Sequence, residues 1–454
     1  MVSFSEVAKR AETGELMPSE DFNMKLVASK AMELQAKYDL RFDAEQLVNT
    51  DDDLADRAWQ AGLELFLHTG LYSVNSRRVI KFSEDEVKET LYYAPSQLVA
   101  GEGKDAVTLY HRDVEDPRPP LLFGGPFNAD VDEATFVRLN EAFARERIID
   151  LLFLPGHLKT LDGLDLRPNS GLSTRAIISY GMWSREAIRR AGRPGMPIVG
   201  HSLMALNEIA CTNEGWGLRR TDPRAGAILS ELQVDDVLLT RLAYYIDYGC
   251  PIYISSTPLV GGFGGGPEGT AIVGVASHMG AVMLGSDIMH LGPQHIKFKQ
   301  QTNMHSLWVG SVVNQAVARN SHLIATTSHT TSGRTGSMQY IYEFTALALA
   351  SVTGGSHLTG PRPANPLFFN HVSPLMGRLF GEVGRAAARL KRAEANQMVK
   401  ALYERYKDKI LFDQAPQGKP FEQLYDLDTL TPTPEHMGQY EKGKEELREL
   451  GLDL

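Results

Sequence analysis

Between residues 119 and 360 the chain repeats one unit eight times: a short apolar run ending in Gly, Pro, Ser or His, then a longer connecting stretch that usually reads as an amphipathic helix. The runs are LLFGG from Leu121, DLLFLPG from Asp150, MPIVGHS from Met196, ILSEL from Ile228, PIYISS from Pro251, DIMHLG from Asp287, HLIATTS from His322 and GSHLTG from Gly355. Their mean separation of about 33 residues accommodates a strand, a helix and two loops, and eight such units are what a closed parallel barrel requires. The expected fold is therefore α/β, a (β/α)8 TIM barrel. A doubly wound open sheet is the competitor that periodicity leaves standing. Helices are expected over residues 131–147, 173–190, 234–248, 269–284, 303–319 and 338–352.

The flanks have a different rhythm. Residues 1–118 form an N-terminal helical extension, with helices expected over 24–38 and 51–67 and from Ser83, and the polar linker HRDVEDPRPP leads into a barrel core over 119–360. Residues 361–454 open with the linker PRPANP and continue as a C-terminal helical region packing on the barrel, with a long charged helix over 377–408 and a short one at 445–452. A net charge of -10 argues against a nucleic-acid or anionic-membrane partner, and no run of about 18 apolar residues suits a membrane span. The N-terminus lacks a secretory h-region, and two distant cysteines, Cys211 and Cys250, exclude a disulfide framework, so a cytoplasmic protein is expected.

In a barrel the strand ends converge on one mouth, which would gather Asn128, His157, His201, Ser202, Glu231, Ser255, Ser256, His290, Ser328, His329 and His357. Glu231 interrupts an apolar run: either it points into the cavity with a raised pKa suited to proton transfer, or it is bonded to a neighbouring strand. His201 follows Gly200 at a strand end, so it can reach a ligand, or it is structural. His329 lies in TTSHTTSGRTGS with Arg334 near enough in sequence to hold an anion; the alternative is a solvated loop. GGFGGGPEG, from Gly261, places glycines between a strand and a helix. It lacks the ending of a P-loop and the spacing of a dinucleotide fingerprint, so close approach of a large cofactor or partner is as compatible as phosphate binding. No HExxH or paired-cysteine spacing appears and no bound metal is expected, although ligands from separate strands can assemble a zinc site.

Six stretches, KAMELQAKYDL from Lys30, AGRPGM from Ala191, GGPEGTAIVGVASHMGAVML from Gly265, HLGPQHI from His290, GEVGRA from Gly381 and FEQLYDLDTLTPTPEHM from Phe421, resemble the monomethylamine:corrinoid methyltransferases of methylotrophic methanogens. The likeness runs over nearly the whole chain. It implies a TIM barrel that forms homo-oligomers and hands a methyl group to a cobalamin-carrying partner protein, with the corrinoid supplied by that partner and no cofactor bound tightly here. The family carries pyrrolysine, whose ring imine captures methylamine, on the strand after AGRPGM; the corresponding position here is Val199. The family's acid in its NEL run is matched by Glu231, and another acid is replaced around Ser255.

Methyl transfer from a neutral amine would have to expel an amide anion, whereas a quaternary ammonium or sulfonium loses its methyl as a neutral amine or sulfide and needs only alignment. The resemblance implies a methyltransferase acting on a small methylated amine, and the departure from it at Val199 points to a donor that is quaternary or otherwise pre-activated. Glu231 and His201 are the catalytic candidates. Val199, Ser202, Tyr253, Ser255, Ser328, His329 and Arg334 are candidates for substrate contact, and Gly262, Phe263, Gly264 and Gly265 for corrinoid contact. The alternatives are a metal-dependent hydrolase on the same barrel and a non-catalytic binding protein derived from the family.

Overall fold

The structure, a computed structural model, describes residues 2–200, 206–364 and 369–454. Eight parallel strands form the centre: β1 (Leu122–Gly124), β2 (Leu151–Phe153), β3 (Ile198–Val199), β4 (Arg224–Ile228), β5 (Ile252–Ser256), β6 (Ile288–Leu291), β7 (Ile324–Thr331) and β8 (His357–Pro363). Each pairs with its sequence neighbours, and β8 returns to β1. A parallel bridge between Gly200 and Arg224 joins β3 to β4, so the barrel closes and the open-sheet alternative falls.

All eight apolar runs supply strands, but the fourth is displaced. Strand β4 precedes ILSEL: its last residue is Ile228, and Leu229 to Leu232 turn back so that Leu229 bridges Gln233. Glu231 therefore lies on the loop after β4, not inside a strand. At the other end, β8 runs on through Pro361 and Pro363, pairing with β7, so the expected linker begins inside the barrel wall. Parallel pairing tolerates these prolines because the ladder shifts register between Ser328 and Thr330.

The surrounding helices are α1 (Glu133–Arg145), α2 (Gly171–Arg190), α3 (Asp236–Tyr248), α4 (Pro267–Met283), α5 (Met304–Asn320), α6 (Met338–Thr353) and α7 (Pro374–Ala387). Between β3 and β4 the described chain has only a 3-10 turn, Leu206–Cys211. Helix α4 is apolar on every side and almost wholly buried, which a helix on a barrel surface can be only if something covers it. The helix Asp52–Thr69 does so, approaching so closely that a Cβ at Gly62 would lie 2.4 Å from Val275 Cβ.

The N-terminal region is not purely helical. Short strands Glu15–Leu16, Leu71–Ser73 and Arg78–Ile80 pair with one another and with Gln233–Val234 from the loop after β4. A hairpin, Gln97–Ala100 with Val107–Tyr110, closes the barrel's N-terminal end, where Ala100 and Leu109 join the interior cluster of Phe123, Val199, Ile288 and Ile324. These strands have two to four residues, too few to announce themselves by alternation.

The helix expected over 377–408 is two, α7 and Arg392–Tyr406. No Gly or Pro marks the break. The second helix starts where Glu115 accepts from the backbone and side chain of Arg392, a cap that comes from a distant part of the chain. The last helix, Pro434–Glu449, starts earlier than expected because Thr433 caps it and Pro434 occupies its first turn. Among the described residues no helix is long and apolar enough to cross a membrane.

Candidate active site

The C-terminal ends of the strands surround a cavity of about 160 Å³. Strand alternation decides what reaches it. On β7, Ile324, Thr326, Ser328 and Thr330 share the inner face, and Ser328 and Thr330 line the cavity. Thr327 and His329 point the other way, into the helix layer.

His329 is accordingly not a mouth residue. Its ring is bonded to Thr359 O at 2.9 Å and to Ser351 Oγ at 3.2 Å and packs edge-on against Phe380, and burial pushes its pKa down to about 4. Arg334 also lies away from the cavity: its guanidinium sits 4.4 Å from the Phe412 ring centroid and contacts Gln417. The length of β7 carries the SGR turn beyond the mouth. His357 is the first residue of β8, at the opposite end of the barrel, where its ring bonds Leu121 N and Tyr110 O. Ser256 faces outward and bonds His290 O.

The expected residues that do meet are Asn128, Tyr253, Ser255, His290 and Ser328. His290 bonds Thr326 Oγ1 through Nδ1 at 2.9 Å, and its ring lies 5.2 Å from Tyr253 and 6.3 Å from Phe153. Burial in this aromatic setting lowers its pKa to about 3, so the imidazole is neutral at pH 7. Thr326 also reaches the Tyr253 hydroxyl at 3.3 Å, while Ser255 Oγ donates to Gly226 O at 3.2 Å. Val199 is fully buried in the apolar interior and shares its cluster with Phe153, Ala225 and Tyr253, which line the cavity. His201 and Ser202 lie outside the described residues.

Glu231 takes a different position from either sequence expectation. It is 2% exposed and does not line this cavity. Its carboxylate accepts Gly264 N at 2.8 Å and Leu259 N at 3.4 Å, tying the loop after β4 to the glycine-rich loop after β5. Burial raises its pKa to about 7, against the lowering effect of these N–H groups. The glycines have specific reasons. A Cβ on Gly262 would lie 2.7 Å from Glu231 Oε1, and Gly261 and Gly265 have φ of +90° and +79°. The loop's N–H groups are spent inside the chain: Gly261 on Gly265 O, Gly262 on Leu259 O, Gly265 on Gly262 O. A phosphate cradle is thereby lost, and Phe263 is presented at the surface, 38% exposed.

Sequence reading missed Arg362, together with Phe127, Phe153, Gln294 and Gln301. Arg362 was hidden in a segment whose prolines read as a linker. Its guanidinium stacks on Phe127 at 4.9 Å, and burial lowers its pKa to about 10 with Asp130 opposing, so it stays cationic at pH 7. Asp130 itself holds His157 Nδ1 at 3.0 Å and Lys159 Nζ at 3.4 Å. Among the described residues no three His, Cys, Asp or Glu side chains converge as metal ligands.

Three comparisons agree with this architecture. A family model described as monomethylamine methyltransferase MtmB matches residues 2–452. MtmB2 of Methanosarcina acetivorans is 30% identical over 447 residues, 98% of this chain and 96% of that protein, and MtmB of Methanosarcina mazei is similar to the same degree. The crystal structure of the Methanosarcina barkeri monomethylamine methyltransferase superposes with a TM-score of 0.95 at 27% identity, over 99% of this chain and 98% of that one, as does a hydroxylamine complex of MtmB. With a closed eight-stranded barrel and a match along its length, the chain belongs to the monomethylamine methyltransferase MtmB family and is a methyltransferase.

Proposed function

We propose that this protein transfers a methyl group from a small, pre-activated methylated amine, such as a quaternary ammonium compound, to a corrinoid carried by a partner protein. One observation carries the reading. Among its described lining residues the cavity holds no Asp, Glu, Lys or Cys, and its histidine is neutral. Removing a methyl from a neutral amine demands covalent capture or protonation of the leaving nitrogen. Among the described residues the lining supplies no acid, amine or thiol for either task, and Val199 offers only an aliphatic surface below the cavity. A donor that leaves as a neutral amine needs only placement, which aromatic walls from Phe153 and Tyr253 and hydroxyls from Ser255 and Ser328 can provide.

The corrinoid is the second substrate and supplies the cobalt nucleophile. The loop Gly262, Phe263, Gly264 and Gly265 is assigned to its approach. The loop follows β5 at the mouth, presents an apolar ring, and leaves open space around Gly265. Glu231 acts through this loop as a positioning residue. Homo-oligomeric assembly belongs to the same proposal.

The experiment is a donor panel: the protein is mixed with cob(I)alamin, free or on a corrinoid protein, and methylamine, di-, tri- and quaternary amines are compared by the change in the corrinoid spectrum. A quaternary donor should methylate the cobalt and methylamine should not. Efficient transfer from methylamine overturns the donor assignment, and transfer from no donor favours the non-catalytic alternative.

A further inference from the structure

Arg362 gives the mouth cavity a charge that a simple onium donor cannot use. It is the one charged side chain among the described residues lining the cavity, and its Nε is buried without a hydrogen-bond partner. None of the described residues accepts a hydrogen bond from its guanidinium, which rests on the Phe127 ring at 4.9 Å. Asp130 acts on it electrostatically without a hydrogen bond to it, and its Oδ1 is shared by His157 and Lys159. A half-buried guanidinium whose Nε is buried without a partner leaves part of its desolvation cost uncompensated until an acceptor arrives. Its planar fork matches a carboxylate, to which it can donate two parallel hydrogen bonds.

The same residue constrains the donor proposed above, on which this step rests. A permanently cationic methyl donor entering a small, poorly solvated cavity that already holds a guanidinium is repelled. The repulsion becomes attraction if the donor also carries an anion. Asn128, whose Oδ1 is buried without a partner, also lines the cavity and as an acceptor suits the onium end of such a donor, not its anion.

We propose that Arg362 is a specificity-determining residue forming a carboxylate subsite, so that the methyl donor is a zwitterion: a small quaternary ammonium or sulfonium compound bearing a carboxylate. The carboxylate engages Arg362 while the onium group lies toward the aromatic wall of Phe153 and Tyr253.

Binding measured by calorimetry separates this from the transfer reaction. Trimethylammonioacetate and tetramethylammonium are titrated into the wild-type protein and into Arg362→Met and Arg362→Lys. Wild type should prefer the zwitterion by about tenfold or more, the worth of a charge-assisted hydrogen-bond pair. Arg362→Met should erase the preference and Arg362→Lys should retain part of it. Acetate should compete with the zwitterion on wild type, which keeps the test decisive if Arg362→Met fails to fold. Equal binding of the two compounds to wild type, or an undiminished preference in Arg362→Met, overturns the subsite. Arg362-dependent binding with no methyl transfer from any donor leaves the subsite standing and removes the transferase reading. Transfer from both compounds without preference does the reverse.

Discussion

The Glu231 carboxylate accepts the backbone N–H of Gly264 at 2.8 Å, so an acid on the loop after β4 holds the glycine-rich loop after β5. The contact exists because Gly262 has no side chain, its position lying 2.7 Å from the same carboxylate if a Cβ is added. Gly262→Ala must push either the loop or Glu231 aside. The fold should survive, and the rate of corrinoid methylation should fall by about tenfold to a hundredfold, as expected for a displacement of about an ångström at a reacting site. Stopped-flow spectra of the corrinoid read the rate directly, and an unchanged rate would remove the loop from the reaction.

Glu231 also sets a pH signature. Its folded-state pKa is raised from 4.5 to about 7 by burial. Between those values the native protein keeps a proton that the unfolded chain has released. The stability this confers is complete at low pH and is lost as pH rises through 7, by about 1.4 kcal/mol per pH unit. Glu231→Gln cannot titrate. The stability advantage of wild type over this variant should therefore shrink by about 2 to 3 kcal/mol between pH 5 and 7. Denaturant melts at the two pH values give the difference.

His329 should behave with the opposite sign. Burial depresses its pKa from 6.5 to about 4, so below 6.5 the unfolded chain binds a proton that the native ring refuses. Its contribution is full above pH 6.5 and falls on acidification. The gap between wild type and His329→Gln should narrow by about 2 kcal/mol from pH 7 to pH 5. Because the ring faces Ser351 and Phe380, away from the cavity, the folded variant should keep the wild-type Michaelis constant for the donor. A change in that constant confined to this variant would return His329 to the site.

Gly62 marks where the N-terminal region meets the barrel. An alanine there sets its methyl 2.4 Å from Val275 Cβ and 3.1 Å from Ile272 O, a clash between two helices with nowhere to move. Gly62→Ala should destabilise the protein by about 1 to 3 kcal/mol through overpacking. Calorimetry should show a lower unfolding midpoint, while donor binding at a temperature where the variant is folded stays as in wild type.

The barrel was legible because strand and helix repeat at a spacing that few folds share. The reading placed α2 at 173–190 against Gly171–Arg190 and α6 at 338–352 against Met338–Thr353. The site was less so. A strand's alternation is visible in sequence but its phase is not: Ser328 and His329 are equivalent until packing decides that one faces the cavity and the other Phe380. Arg362 was concealed by prolines that normally end a strand, and the role of Glu231 depended on where β4 stopped.

What the residue order determined alone is the repeating unit, its eightfold count and the aliphatic Val199 at the end of β3, because local periodicity and composition act over short distances. Tertiary structure decided which polar groups share one space. Closing the barrel sets Arg362 over Phe127 and turns His329 outward, and those outcomes depend on contacts between segments dozens to hundreds of residues apart.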